Sequence, residues 1–200
     1  MNIYTITIFL ITYLICSINP AIEICKRKTG EDIRNLGSGN AGTANSMRVL
    51  GKPLGILVVI LDILKVYLSF FVITVVSNVI FKQDANDGLK SIFIIASVVG
   101  HCYPIYYGFK GGKGIIVGIT AGMILNRDIA VVCLIASLIV ILITRLVALG
   151  TISGVILYNV MSLVMITRYL VPVLIVSAII LFKHRASIQR ILTRQEERFW

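Results

Sequence analysis

The chain has 200 residues, of which 58% are hydrophobic and only 14% charged. Soluble domains are about 45–50% apolar and about 25% charged, so this composition, with a mean hydropathy of +0.95, excludes a soluble enzyme, a disordered chain and a fibrous protein. The net charge of +10 would suggest nucleic acid in a soluble protein. Here the basic residues alternate with apolar runs, so they read as topology determinants and as partners of membrane phospholipid headgroups, with no nucleic acid.

A helix needs about 20 apolar residues to cross the hydrocarbon core. The first run spans 3–22, without a basic leader or a small-residue cleavage site, and reads as a retained span. A polar stretch, 23–52, follows. Further runs span 53–81, 91–107, 115–125 (short), 129–144, 151–167 and 169–182, and a polar amphipathic tail runs over 183–200. The expectation is one domain over 1–200: an all-α, polytopic helical bundle of about seven transmembrane helices, with five or six as the alternatives. Lys26, Arg27, Lys28, Arg34, Arg48 and Lys52 lie in the first polar stretch, Lys110 and Lys113 after the third run, Arg145 after the fifth, and Lys183, Arg185, Arg190, Arg194 and Arg198 in the tail. With seven spans all four groups share one side. The positive-inside rule then puts the N-terminus outside and the C-terminus in the cytoplasm.

Cys16, Cys25, Cys102 and Cys133 show no metal-ligand spacing and read as buried structural thiols. Four constellations are suited to chemistry. In the first, Gly37, Gly39 and Gly42 free the backbone to turn and to approach a ligand, while Ser38, Asn40, Thr43 and Asn45 add polar groups and Arg48 a planar fork for phosphate. The second is Gly100-His101-Cys102-Tyr103-Pro104, continuing to Phe109-Lys110-Gly111-Gly112-Lys113-Gly114. It lacks a P-loop pattern, but two lysines flank a Gly-Gly pair before a helix start. Asp62 and Lys65, at i and i+3 inside an apolar run, form the third; they read as support for the site or as an ion pair fixing helix packing. The fourth is Lys183-His184-Arg185 with Ser187, a proton-exchanging group or a basic headgroup anchor. Two Gly-rich basic loops and a His/Arg tail on one face suit a phosphorylated ligand. No zinc or other metal site, dinucleotide fingerprint or Ser-His-Asp triad is expected, and no cofactor.

These residues resemble the bacterial acyl-phosphate:glycerol-3-phosphate acyltransferases of the PlsY type over nearly the whole chain. The segment from Glu31 to Asn40, continuing to Asn45, Arg48 and Leu50-Gly51, is similar to that family's first motif. Gly100-His101, Pro104 and residues 109–114 are similar to its second, and His184-Arg185 with Glu196 to its C-terminal segment. The resemblance implies a seven-span enzyme of the bacterial cytoplasmic (inner) membrane. It would move a fatty acyl group from acyl phosphate to the 1-hydroxyl of glycerol 3-phosphate, yielding lysophosphatidic acid. It also implies that Ser38, Arg48 and Lys113 hold phosphates and acceptor. His184 and the glycine backbones of both loops would cradle the acyl phosphate, and Gly39, Asn40, Gly42, Thr43, Asn45, His101, Lys110, Gly111, Gly112, Gly114, Thr151 and Ser187 would complete the binding surface. The hydroxyl proton would pass to a substrate phosphate; His184 and His101 are the alternative bases. The chain departs from the family at Val117, at Ala148 and Thr151, at Ser187 in place of Asn, and in the order Thr43-Ala44. The departures mark a divergent member and leave two other readings open: a paralogue acylating another acceptor, and a non-enzymatic lipid-binding protein.

Overall fold

The computed structural model describes residues 2–198, and the last two residues of the tail predicted over 183–200 lie outside the described residues. Ten α-helices occur among the described residues, and no strand. They are α1 (Ile3–Cys16), α2 (Pro20–Thr29), α3 (Thr43–Leu50), α4 (Lys52–Val79), α5 (Asp87–Cys102), α6 (Ile115–Leu125), α7 (Arg127–Thr144), α8 (Val147–Met165), α9 (Leu170–Lys183) and α10 (Arg185–Leu192). Five segments, with α1 and α2 taken together, are long and apolar enough to cross a membrane. A sixth arises if α9 and α10, bent by 60°, count as one. α6 is short, at 11 residues. Leu64, Phe71, Ile143 and Val164 are more than half exposed on these helices, as expected of side chains that face lipid rather than water.

The helix ends follow from local chemistry. Asn2, Asn19, Asn86 and Asn126 cap α1, α2, α5 and α7 by accepting a backbone N–H of the first turn. The first apolar run is not one helix. The Asn19 side chain takes the Ile22 N–H, and Pro20 follows it. That N–H would otherwise bond the Ile18 carbonyl, which is released for another donor. The polar stretch 23–52 is largely ordered: most of α2 and all of α3 lie within it, with a 3-10 turn at Ile33–Asn35.

The chain divides into two compact units, one running to Ala121 and the other starting at Gly122. In the first, α1 packs on α4 and α5, and α3 folds back on α4. Its core includes Ile8, Val58, Val66, Phe93 and Val98. A Cβ at Gly100 would stand 2.6 Å from the Tyr13 carbonyl oxygen, so glycine sets the close crossing of α1 and α5. In the second unit α7 and α8 form a hairpin whose turn uses Arg145 in the left-handed region. Gly150 and Gly154, four residues apart, let α8 approach α7 at Ser137, the small-residue packing typical of membrane helices. All four cysteines are buried thiols outside any disulfide.

Candidate active site

The first loop, between α2 and α3, sits on an apolar cluster of Ala21, Ile22, Cys25, Ile33, Ala41 and Val58. Asn45 shapes it. This side chain, 2% exposed, accepts the Ser38 N–H at 2.8 Å and donates to the carbonyls of Leu36 at 3.0 Å and Ile33 at 3.3 Å. Gly37 and Gly39, at φ of 57° and 72°, turn the chain on either side of Ser38 and leave it exposed. Asn45 therefore braces the loop from beneath. Asn45→Ala removes three bonds worth about 0.5–1.5 kcal/mol each and takes the acceptor from the Ser38 N–H, while the Leu36 and Ile33 carbonyls keep the amides of Gly39 and Leu36. Hydrogen exchange at residues 36–40 will rise in that variant, and activity will fall with it.

α3 begins at Gly42, which has no side chain to cap it. Among the described residues, Thr43 Oγ1 is buried there without a hydrogen-bond partner. The positive end of a helix and an orphaned hydroxyl suit an anion. Asn40 lies beside Gly42, its Nδ2 2.9 Å from where a Cβ would stand. Arg48 is exposed in the last turn of α3.

The second loop, between α5 and α6, is tied back to α5. The amides of Gly111 and Gly112 donate to the carbonyls of Cys102 and His101, both at 3.2 Å. Those amides thus serve the end of α5. The glycines are required by close packing: a Cβ at Gly111 would stand 2.6 Å from Pro104 Cδ, and one at Gly112 would press on His101 Nε2. Gly114, at φ 83°, opens α6. Lys110 is exposed and Lys113 half-buried on this loop.

Arg34, to which the sequence reading gave no role beyond positive charge, joins the two loops. Asp32 holds its guanidinium through two oxygens, at 3.0 Å and 2.7 Å. The same guanidinium donates to the carbonyls of Tyr107 at 2.7 Å and Lys110 at 3.1 Å. Arg in the first motif was visible in the sequence; which distant carbonyls it meets was not. The Arg34 hydrogen bonds hold the Asp32 carboxyl below the usual carboxylate range. The stabilisation is therefore complete above an ordinary aspartate pKa of about 3.9 and is lost as pH falls through the lower folded-state value. Protection factors at residues 105–112, with the intrinsic pH dependence of exchange divided out, are expected to stay constant from pH 8 to pH 5. Loss of protection between pH 7 and pH 6 would contradict the clamp.

Asp62, Lys65 and His101 form a buried cluster beneath these loops. Lys65 Nζ lies 2.7 Å from Asp62 Oδ1, 2.7 Å from the Ile18 carbonyl oxygen and 3.1 Å from His101 Nδ1. The carbonyl is the one released by the break between α1 and α2.

In the second unit, His184 occupies the elbow between α9 and α10 and is 3% exposed. Its Nδ1 donates to the Ile180 carbonyl at 2.8 Å, because a carbonyl only accepts. That leaves Nε2 as the acceptor in the neutral ring, 3.5 Å from Thr151 Oγ1. The single Thr151 hydroxyl proton is shared between Nε2 and the Ala148 carbonyl, which lies 2.9 Å from Oγ1. Ser187, fully buried, accepts from Arg190 Nη2 at 3.0 Å, and Arg190 pairs with Glu196 at 2.6 Å. Val117 is a buried apolar residue of α6.

Known proteins share this architecture. A crystal structure of PlsY (YgiH), an integral membrane glycerol 3-phosphate acyltransferase in its glycerol 3-phosphate form, superposes with a TM-score of 0.84. It is 34% identical, over 98% of this chain and 96% of that one. The lysophosphatidic acid form superposes with a TM-score of 0.81 at 31% identity, over 97% and 94%. A glycerol-3-phosphate acyltransferase of Aquifex aeolicus is 35% identical over 94% of this chain and 95% of its own. One from Clostridioides difficile is 31% identical over 99% and 97%. With the model of that family matching residues 6–194, the chain belongs to the glycerol-3-phosphate acyltransferases.

Proposed function

We propose that this membrane protein acylates the 1-hydroxyl of glycerol 3-phosphate to give lysophosphatidic acid, with an acyl phosphate as donor. The hydroxyl oxygen attacks the acyl carbonyl carbon. An ester bond forms, the bond from that carbon to the phosphate oxygen breaks, and inorganic phosphate leaves. The hydroxyl proton passes to a phosphate oxygen of a substrate, or to His184 Nε2, which accepts in the neutral ring. Since the donor is already activated, positioning and charge stabilisation suffice, and no acyl-enzyme is needed.

The observation that carries this reading is the first loop. The uncapped start of α3 with its orphaned Thr43 hydroxyl, the exposed Ser38 and the Arg48 guanidinium make a surface for a phosphate. Lys113 supplies a second cation on the loop that Arg34 ties to the first. His184 and Thr151 serve the acyl phosphate by resemblance to the family. The distribution of basic segments supports a cytoplasmic placement of these loops at the bacterial inner membrane, with the short α6 counted as a seventh span and the N-terminus outside. Anionic phospholipid headgroups complement the tail arginines on that side.

Donor and acceptor competition tests the reading. Purified protein in lipid is offered palmitoyl phosphate or palmitoyl-CoA, with glycerol 3-phosphate or glycerol. Product is expected from palmitoyl phosphate and glycerol 3-phosphate alone. Turnover with palmitoyl-CoA only would overturn the donor. Turnover with glycerol but not glycerol 3-phosphate would favour the paralogue that uses another acceptor.

A further inference from the structure

The buried cluster under the loops has a proton arrangement that the hydrogen-bond partners determine. The Lys65 ammonium, which can only donate, bonds the Ile18 carbonyl and His101 Nδ1 at 2.7 and 3.1 Å and forms an ion pair with Asp62 Oδ1 at 2.7 Å. His101 Nδ1 is 3.6 Å from Asp62 Oδ1, beyond hydrogen-bond reach. The nearer partner of Nδ1 is thus a donor, so Nδ1 contributes its lone pair and the ring proton sits on Nε2. That edge of the ring faces the second loop. A Cβ on Gly112 would touch His101 Nε2 and stand 2.8 Å from the Ala41 carbonyl oxygen. The Ala41 carbonyl belongs to the first loop and already accepts from Asn19 Nδ2 at 3.2 Å; a carbonyl oxygen has a second lone pair.

We infer that His101 is a positioning residue, locked as the neutral Nε2–H form by Lys65, whose Nε2–H joins the Ala41 carbonyl of the first loop across the face of Gly112. The inner ends of the two loops are thereby held in register, as Arg34 holds their outer ends. With Nδ1 facing an ammonium and Nε2 protonated, His101 has no lone pair to offer a substrate hydroxyl. It is not a general base. Its kinetic consequence, the spacing of the groups that hold donor and acceptor, rests on the proposed acyl transfer. Its tautomer does not.

The full chain is labelled with 15N-histidine, placed in lipid nanodiscs and measured by NMR at pH 7, with His184→Gln used to separate the two rings. The expected signature is a protonated Nε2 and an unprotonated Nδ1 for His101. A protonated Nδ1, alone or in an imidazolium, would overturn the inference. In kinetics, misplaced reactive groups cost up to about 100-fold. His101→Ala is expected to raise the palmitoyl phosphate KM or lower kcat by at least about tenfold within that range. His101→Gln carries an N–H toward the Nε2 position and is expected to recover most of the loss. Folded Ala and Gln variants with equal kinetics would overturn the clamp. Should both fail to fold, the wild-type tautomer still decides. Should the wild type make no lysophosphatidic acid, the acyl-transfer reading fails while the NMR result still tests the lock.

Discussion

Lys65→Met is expected to destabilise the protein by about 3–5 kcal/mol, because it leaves the Asp62 carboxylate buried without its cation. Asp62 is 2% exposed and Lys65 6%, and both lie in the apolar helix α4. At roughly 2–4 °C per kcal/mol for a chain of this size, the midpoint should fall by about 6–20 °C. The cysteines are buried, so a thiol-reactive fluorophore reports the unfolding. The double variant Asp62→Asn/Lys65→Met should lose less than the single one, since replacing a whole buried pair is often close to neutral. A double variant as unstable as Lys65→Met would show that the ammonium matters through the Ile18 carbonyl and His101 rather than through Asp62. That result would enlarge the role of the break between α1 and α2.

Arg48→Ala is expected to lower kcat/KM for glycerol 3-phosphate by about 100–1,000-fold, the range seen when one charge-stabilising donor is removed from an active site. Arg48 is exposed in the last turn of α3, so the thermal midpoint should stay near that of the wild type. Arg48→Lys keeps the charge but loses the planar fork, and should recover only part of the activity. A folded Arg48→Ala variant with unchanged kinetics would remove the guanidinium from the phosphate surface.

Much of the fold was legible because apolar runs of membrane length permit few structures. The run predicted at 115–125 coincides with α6, and the run at 129–144 ends where α7 ends. Less was legible where polar side chains decide the backbone. The break at Ser17–Asn19 depends on Asn19 turning its own side chain onto the Ile22 amide. The helices within 23–52 were hidden by a charged, glycine-interrupted composition.

At the site, the residue types were visible and their roles less so. Glycines at 111 and 112 suggested an amide cradle; in the folded loop their amides close α5, and their missing Cβ atoms admit His101 and Pro104. Asn45 looked like a ligand group, yet its side chain is spent on the loop backbone. His101 and His184 are alike in sequence, but different partners give their rings opposite proton positions. Long-range contacts set those differences, and no local spacing encodes them.

The most direct test of the account is formation of lysophosphatidic acid by the purified chain in a lipid bilayer supplied with palmitoyl phosphate and glycerol 3-phosphate. Product is expected from the wild type, with its loss in Arg48→Ala and Lys113→Ala, both folded. A folded wild type that binds palmitoyl phosphate and yields no lysophosphatidic acid would contradict it.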